Sequence, residues 1–289
     1  MNTMSKFKDA YETQGYVLIP SCVSDIDSLR AASERVITKT RSGQWPYRRT
    51  VGRQFPPFGE DESDSWGVQH VMHPDLEEPI FSQWYTSDDL IDVVKDLLEC
   101  EESELQMELF NMLINPESHD FALRWHRDDV RENASEQEER AALDVWHHGV
   151  QWNTALYEDA CLYVVPGSHK VPRTPEQRSH SYTMEAPKNP LDMPGSIQVI
   201  LKPAETVFYN SNILHCATYS RLAKRATLHA SMGSILGGSS RARNVLQHGL
   251  NWMTEPRFGA GLNERGRGML ARLVKMKEGT GDVGYSLDG

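Results

Sequence analysis

From Leu105 onwards the chain reads as a series of short apolar runs separated by turn residues, and this pattern constrains the fold more than any other feature of the sequence. The runs are Leu105 to Asn115, Ala122 to Val130, Gly149 to Tyr157, Cys161 to Pro166, Ser196 to Leu201, Thr206 to Asn210 and Ala226 to Ser231. Several strands of this length between turns argue for a β-sandwich or jelly roll. The charged stretch Arg131 to His148 interrupts the series and reads as an inserted helix capped by Asn133 or Ser135.

The first third of the chain has a different texture. Ser5 to Thr13 suits a short helix, Gly15 opens an apolar run from Tyr16 to Pro20, and a second helix is expected from an N-cap at Ser24 to about Thr40. Ser87, followed by Asp88 and Asp89, starts a third helix, in which Leu90, Ile91, Val94, Leu97 and Leu98 recur on one face. Between these, residues 42–79 are rich in Gly, Pro and aromatics without a sustained period, which is the composition of a lid over a binding site. Arg41, Arg48, Arg49 and Arg53 fall among Trp45, Tyr47 and Phe55 there. A solvated basic loop is the plainer reading, and a receptor for an anionic substrate group the sharper one. With 289 residues and 39% hydrophobic content, a single domain is expected, with a helical part at 1–104, a jelly-roll core at 105–235 and a C-terminal extension at 236–289.

A formal net charge of -11 argues against a nucleic-acid partner, whose phosphates would call for a basic face. Four separated cysteines without a CxxC pair suit reduced structural thiols, and no long apolar run suggests a membrane span. These features fit a soluble, cytoplasmic protein acting on a small molecule, and they leave room for a homodimer.

Trp125-His126-Arg127-Asp128 carries the chemistry. In a strand, residues i and i+2 share a face, so His126 and Asp128 can present one imidazole and one carboxylate to a single ion. One further histidine would complete a facial triad with three open positions, the arrangement of non-haem iron(II) oxygenases. With 11 histidines, about one H-x-D is expected by chance, and the sequence has two. The other, His73-Pro74-Asp75, contains a proline that cannot serve a central ladder and is assigned to the lid.

Around the first H-x-D the sequence resembles the phytanoyl-CoA dioxygenase family. The matching segments are Met112-Leu113-Ile114-Asn115-Pro116, then Gln151-Trp152-Asn153-Thr154-Ala155-Leu156, then Val164-Val165-Pro166-Gly167-Ser168-His169-Lys170, the most specific of them. Ala204-Glu205-Thr206-Val207-Phe208 and the run from Asn210 to His215 follow in order, and Gly15-Tyr16-Val17-Leu18-Ile19 matches near the N-terminus. The resemblance implies a double-stranded β-helix (a cupin-like jelly roll) with flanking helices. It also implies Fe(II) held by His126, Asp128 and His215, with 2-oxoglutarate and O2 as co-substrates. Arg225, with Thr227 two residues along, would pair with the far carboxylate of 2-oxoglutarate. A guanidinium can form two parallel hydrogen bonds to a carboxylate, which lysine cannot. Arg221 is the rival for that role. Gln151, Asn153 and Met112 are candidate pocket residues, and His169 and His229 read as structural.

Two features depart from the family pattern: Ala204-Glu205 replaces the usual glycine and aspartate, and the 131–148 insertion lengthens a connection that is often shorter. The adjacent pair His147-His148 is a weak candidate for a second metal site, because neighbours on a strand face opposite ways. The expected activity is hydroxylation, or another oxidation, of an unactivated C–H bond in a secondary metabolite or lipid-like acid. The alternatives are a metal-dependent cupin enzyme that does not use 2-oxoglutarate and a non-catalytic jelly-roll binding module.

Overall fold

The computed structural model describes residues 3–280 except 57, 60, 61, 239, 240, 242–244 and 247. Its centre is two antiparallel sheets. The larger contains β1 (Tyr16–Ile19), β2 (Arg48–Thr50), β3 (Ser65–Val68), β4 (Leu105–Ile114), β6 (Gly149–Ala155), β9 (Thr206–Tyr209) and β11 (Ala226–Ser234), in the spatial order β1-β9-β6-β11-β4-β3-β2. The smaller is β5 (Phe121–Ala122), β10 (His215–Tyr219), β7 (Asp159–Val164) and β8 (Ile197–Leu201), in the order β5-β10-β7-β8. Two facing sheets of short antiparallel strands form the expected jelly roll, with helices flanking them.

Strand alternation explains how one chain builds both a core and a site. In β4, Phe110, Met112 and Ile114 face the helices within the main hydrophobic cluster, whereas Leu109 and Leu113, on the alternate face, line the space between the sheets. Register carries this division to the neighbours. Leu113 lies opposite Thr227 of β11, and His229 of β11 lies opposite Asn153 of β6. On the helical side Phe110, Tyr85, Trp152 and Phe208 form a chain of ring contacts with centroids 5.5–5.9 Å apart. Burying each of these rings contributes about 2–3 kcal/mol.

The outer layer follows its local sequence signals closely. Helix α1 spans Thr3–Gln14, and α2 spans Ile26–Arg41. The cap of α2 is Asp25, which accepts from the Ser28 amide at 3.0 Å, so the helix starts one residue later than a Ser24 cap would set it. After α3 (Ile80–Tyr85), α4 runs from Asp88 to Leu98 and buries every apolar residue of its expected stripe. Helix α5 (Glu136–Leu143) is the inserted helix, closed by a capping box in which Ser135 and Glu138 exchange hydrogen bonds. Helix α6 (Pro175–Ser181) follows β7, and α7 (Pro256–Gly261) and α8 (Glu264–Thr280) form the C-terminal part, with α8 lying along β4.

Three expectations needed correction. Residues 122–130 do not form one strand: only Phe121–Ala122 pairs regularly, followed by an isolated bridge between His126 and His215. Strand β10 was not anticipated, although it carries His215. The supposed lid is in part structural, since β2 and β3 lie within it and form the edge of the large sheet. Gly15 is fixed by close approach as well as by its φ of 78°, since a Cβ there would lie 2.4 Å from His169 Nδ1. His169 in turn bonds the Glu12 carbonyl through Nε2 at 3.1 Å, which ties the Val164–Lys170 motif to the N-terminal helix.

Candidate active site

His126 and His215 sit opposite each other across the isolated bridge, with reciprocal amide-to-carbonyl bonds of 2.9 and 3.0 Å. Their rings are 4.2 Å apart. Each Nδ1 is engaged by a carbonyl two residues back, Arg124 at 2.8 Å for His126 and Ile213 at 2.9 Å for His215. That contact makes Nδ1 the protonated nitrogen and turns the lone pair of each Nε2 towards Asp128 Oδ1, 3.6 and 3.8 Å away. The other oxygen, Asp128 Oδ2, accepts from Gln151 Nε2 at 2.6 Å. The three candidate ligand atoms lie within 4.8 Å of one another, and they form the one such cluster of three found among the described residues.

The electrostatics suit a cation. Burial, reinforced by the neighbouring His215, holds His126 well below its usual range, so the ring stays neutral and able to coordinate. Burial also pushes the Asp128 carboxyl up, a cost that a positive ion at this point would remove. Phe55 and Tyr209 brace the two imidazoles, each with an edge contact at 5.5 Å.

From this cluster a cavity of about 160 Å³ extends between the sheets and reaches Arg225. Arg225 Nε donates to Asp159 Oδ2 at 2.9 Å and to Thr227 Oγ1 at 3.2 Å, and its guanidinium lies 4.6 Å over the Tyr219 ring. Its Nη1 and Nη2 are buried without a hydrogen-bond partner. Burial opposes ionisation of Asp159, but Arg225, Thr227 and the Cys161 amide overcome it and hold the carboxyl below its usual range. Arg225 therefore stays charged, with two donors still to be satisfied. Leu113, Leu162 and Ala217 line the cavity between these polar ends. An apolar sleeve with a cationic fork at one end and a His-Asp-His cluster at the other fits a short dicarboxylate that chelates a metal.

The structure brings most of the sequence candidates together. His126, Asp128, His215, Gln151, Asn153 and Arg225 all line this cavity, and Thr227 orients Arg225 from the same strand face. Met112 does not belong with them. It is fully buried on the helical side of β4, and Leu109 and Leu113, on the opposite face, take the lining position. Arg221 lies at the surface, where its side chain bonds the Ser118 carbonyl. Among the described residues His147 and His148 belong to no cluster of three possible metal ligands; His147 Nε2 lies 3.9 Å from Asp129. His229, which the sequence reads as structural, faces the cavity and hydrogen-bonds Asn153 Oδ1 at 2.9 Å. The period-2 alternation from Arg225 through Thr227 could have indicated this.

A jelly roll enclosing such a triad and an arginine-ended sleeve is the architecture of the iron(II)- and 2-oxoglutarate-dependent oxygenases. The family model for phytanoyl-CoA dioxygenase matches residues 11–225, and the chain belongs to that family. Among solved structures, it is similar to the iron-bound form of EctD from S. alaskensis (TM-score 0.57, 14% identity, 81% of this chain and 77% of that one). It is also similar to SnoN, a non-haem α-ketoglutarate-dependent epimerase from nogalamycin biosynthesis (TM-score 0.55, 17% identity, 80% and 81%). A third is AviO1 from Streptomyces viridochromogenes Tue57 (TM-score 0.54, 15% identity, 80% and 95%). At these identities the likeness is one of fold. No curated protein matches the chain by sequence. Among the described residues no helix is long and apolar enough to cross a membrane.

Proposed function

We propose that this protein oxidises a C–H bond of a small polar molecule, with Fe(II) held by His126, Asp128 and His215 and 2-oxoglutarate held at its far end by Arg225. The observation that carries this reading is the pair of unsatisfied Arg225 Nη donors at the end of the cavity that begins at the triad. When bound, iron and 2-oxoglutarate supply the oxidising power: R–H, 2-oxoglutarate and O2 give R–OH, succinate and CO2. The protein's own residues do the rest. Arg225 forms a bidentate, charge-assisted pair with the distal carboxylate, and Asp159 and Thr227 keep its fork from turning away. Gln151 fixes the Asp128 carboxylate so that Oδ1 alone points at the metal. Leu113, Leu162 and Ala217 exclude water from the chain of the co-substrate.

The remaining wall bears on the substrate. Asp129 lines it, accepting from Ser211 Oγ at 2.9 Å, with Gln69, Ser231, His248 and Arg49, and these alternate with Phe55, Phe58, Trp66 and Val150. A lipid chain needs a continuous apolar channel. This mixed wall instead favours a compact substrate that carries hydroxyl or amino groups on an apolar frame, and it weighs against the long-chain lipid acid allowed by the family resemblance. Hydroxylation is the simplest outcome, and the epimerase among the structural neighbours is a reminder that the outcome depends on which C–H is presented.

The test is anaerobic titration with Fe(II) and 2-oxoglutarate, following the visible charge-transfer band of a chelated 2-oxo acid. The band should form in the wild type and be absent in His126→Ala. Metal binding without a band would favour a cupin enzyme that makes no use of 2-oxoglutarate. Succinate release should then be stimulated by sugars or amino alcohols and not by fatty acids or their thioesters.

A further inference from the structure

The 131–148 insertion has an unusual interior. Glu139 of α5 is fully buried and accepts from three arginines: Arg127 Nε at 2.9 Å, Arg173 Nε at 3.0 Å and Arg178 Nη2 at 2.6 Å. Arg127 stands between the metal ligands His126 and Asp128, and its side chain is directed to the other side. Its remaining donors reach three carbonyls, Ser168 at 2.7 Å, Val171 at 3.0 Å, and Asn212. Asn212 belongs to the turn that leads into His215, in which the Ile213 carbonyl orients the His215 ring and the Ser211 carbonyl accepts from the Asp128 amide at 3.0 Å. One guanidinium thus joins the segment carrying two ligands to the segment carrying the third.

We infer that Glu139 is a positioning residue for the metal centre: through Arg127 it fixes the spacing between the His126–Asp128 segment and the turn before His215, so the insertion acts as a clamp on the ligands. This rests on the proposed iron reading. The physical argument is one of charge. The Arg127 guanidinium and the Glu139 carboxylate are both buried, and that carboxylate is the anion that offsets the burial of the Arg127 charge. Without it, two buried guanidiniums and the part-exposed Arg178 would face one another, and Arg127 would have to move, releasing the Asn212 and Val171 carbonyls. Arg173 and Arg178 hold Glu139 in turn and tether it to the chain at the Glu132 and Ala134 carbonyls, 3.0 and 2.6 Å away.

The experiment compares the full-length wild type with Glu139→Gln, Arg127→Lys and, as a remote destabilised control, Arg265→Ala, which loses the α8 contacts to Glu102 and the Thr86 carbonyl. Fe(II) affinity is measured by competition with a chelating dye, site geometry by the EPR spectrum of the Fe(II)–nitric oxide adduct, and stability by calorimetry. Glu139→Gln and Arg127→Lys should each weaken Fe(II) binding about tenfold or more and change the EPR spectrum, and Arg265→Ala should lower the melting temperature with neither effect. If the two variants lose stability but bind Fe(II) as the wild type does, with the same spectrum, the network is only structural and the inference falls. If Glu139→Gln does not fold, Arg127→Lys decides, because it keeps a cation beside Glu139 while lacking the fork that reaches Asn212 and Val171. Because iron affinity is read by dye competition, failure of the 2-oxoglutarate band in the wild type would count against the oxygenase reading and leave the clamp testable.

Discussion

Two buried arginines serve the same jelly roll in opposite ways. Arg127 satisfies its donors with Glu139 and three backbone carbonyls, whereas Arg225 engages Asp159 and Thr227 through Nε and leaves both Nη atoms without partners. A buried cation with its donors satisfied is part of the scaffold. One with an open fork is a binding site, because an unmet buried donor costs about 1–3 kcal/mol that only a ligand can return.

Substitution should separate the two. Arg225→Ala is expected to weaken 2-oxoglutarate binding by about 10²-fold or more, from the loss of two charge-assisted hydrogen bonds. Fe(II) affinity should hold, and titration of the visible band reads the difference. Arg127→Ala should act in the other direction, losing about 3–5 kcal/mol of stability in chemical denaturation because the buried Glu139 loses one of its partners. Similar 2-oxoglutarate losses in the two variants, measured with Fe(II) saturating in both, would end the distinction. A smaller effect comes from ligand linkage. At 100 times its Kd, 2-oxoglutarate should stabilise the Fe(II)-loaded wild type by about 2.7 kcal/mol, visible as a higher melting temperature, and the same concentration should stabilise Arg225→Ala by about 0.4 kcal/mol or less.

Burial holds two further histidines, His70 and His169, at about 4. Their folded-state values lie below the unfolded one near 6.5. The stability they contribute as neutral rings is therefore complete above about pH 6.5 and is lost as pH falls towards 4. The melting temperature of the metal-free protein should decline across that window, and less steeply in His169→Gln. The smallest effect concerns Ala204, which stands where the family has glycine and adopts a φ of 73°. Ala204→Gly should relieve about 1 kcal/mol of left-handed strain and raise the melting temperature by roughly 2 °C, with 2-oxoglutarate binding unchanged.

The sequence by itself determined most of the strand series from Leu105, the N-cap positions Ser135 and Ser87, the apolar stripe of α4 and the placement of His126 with Asp128 on one face, because each is written in a local pattern only a few residues long. What only the tertiary structure decided was pairing. His126 and His215 meet across one isolated bridge that no local period announces. Met112 and Leu113 are both apolar, and the packing of β4 between the helices and the cavity sends the first to the core and the second to the site. Ser42 to Pro79 looked structureless because β2 and β3 are too short to show a period, and they become strands by pairing with each other and with β4. Glu139 resembled any other acid of a charged surface helix, and it became a buried anchor because three arginines from two other segments converge on it. Local propensity fixes which residues can share a face, and long-range register then sets what that face meets.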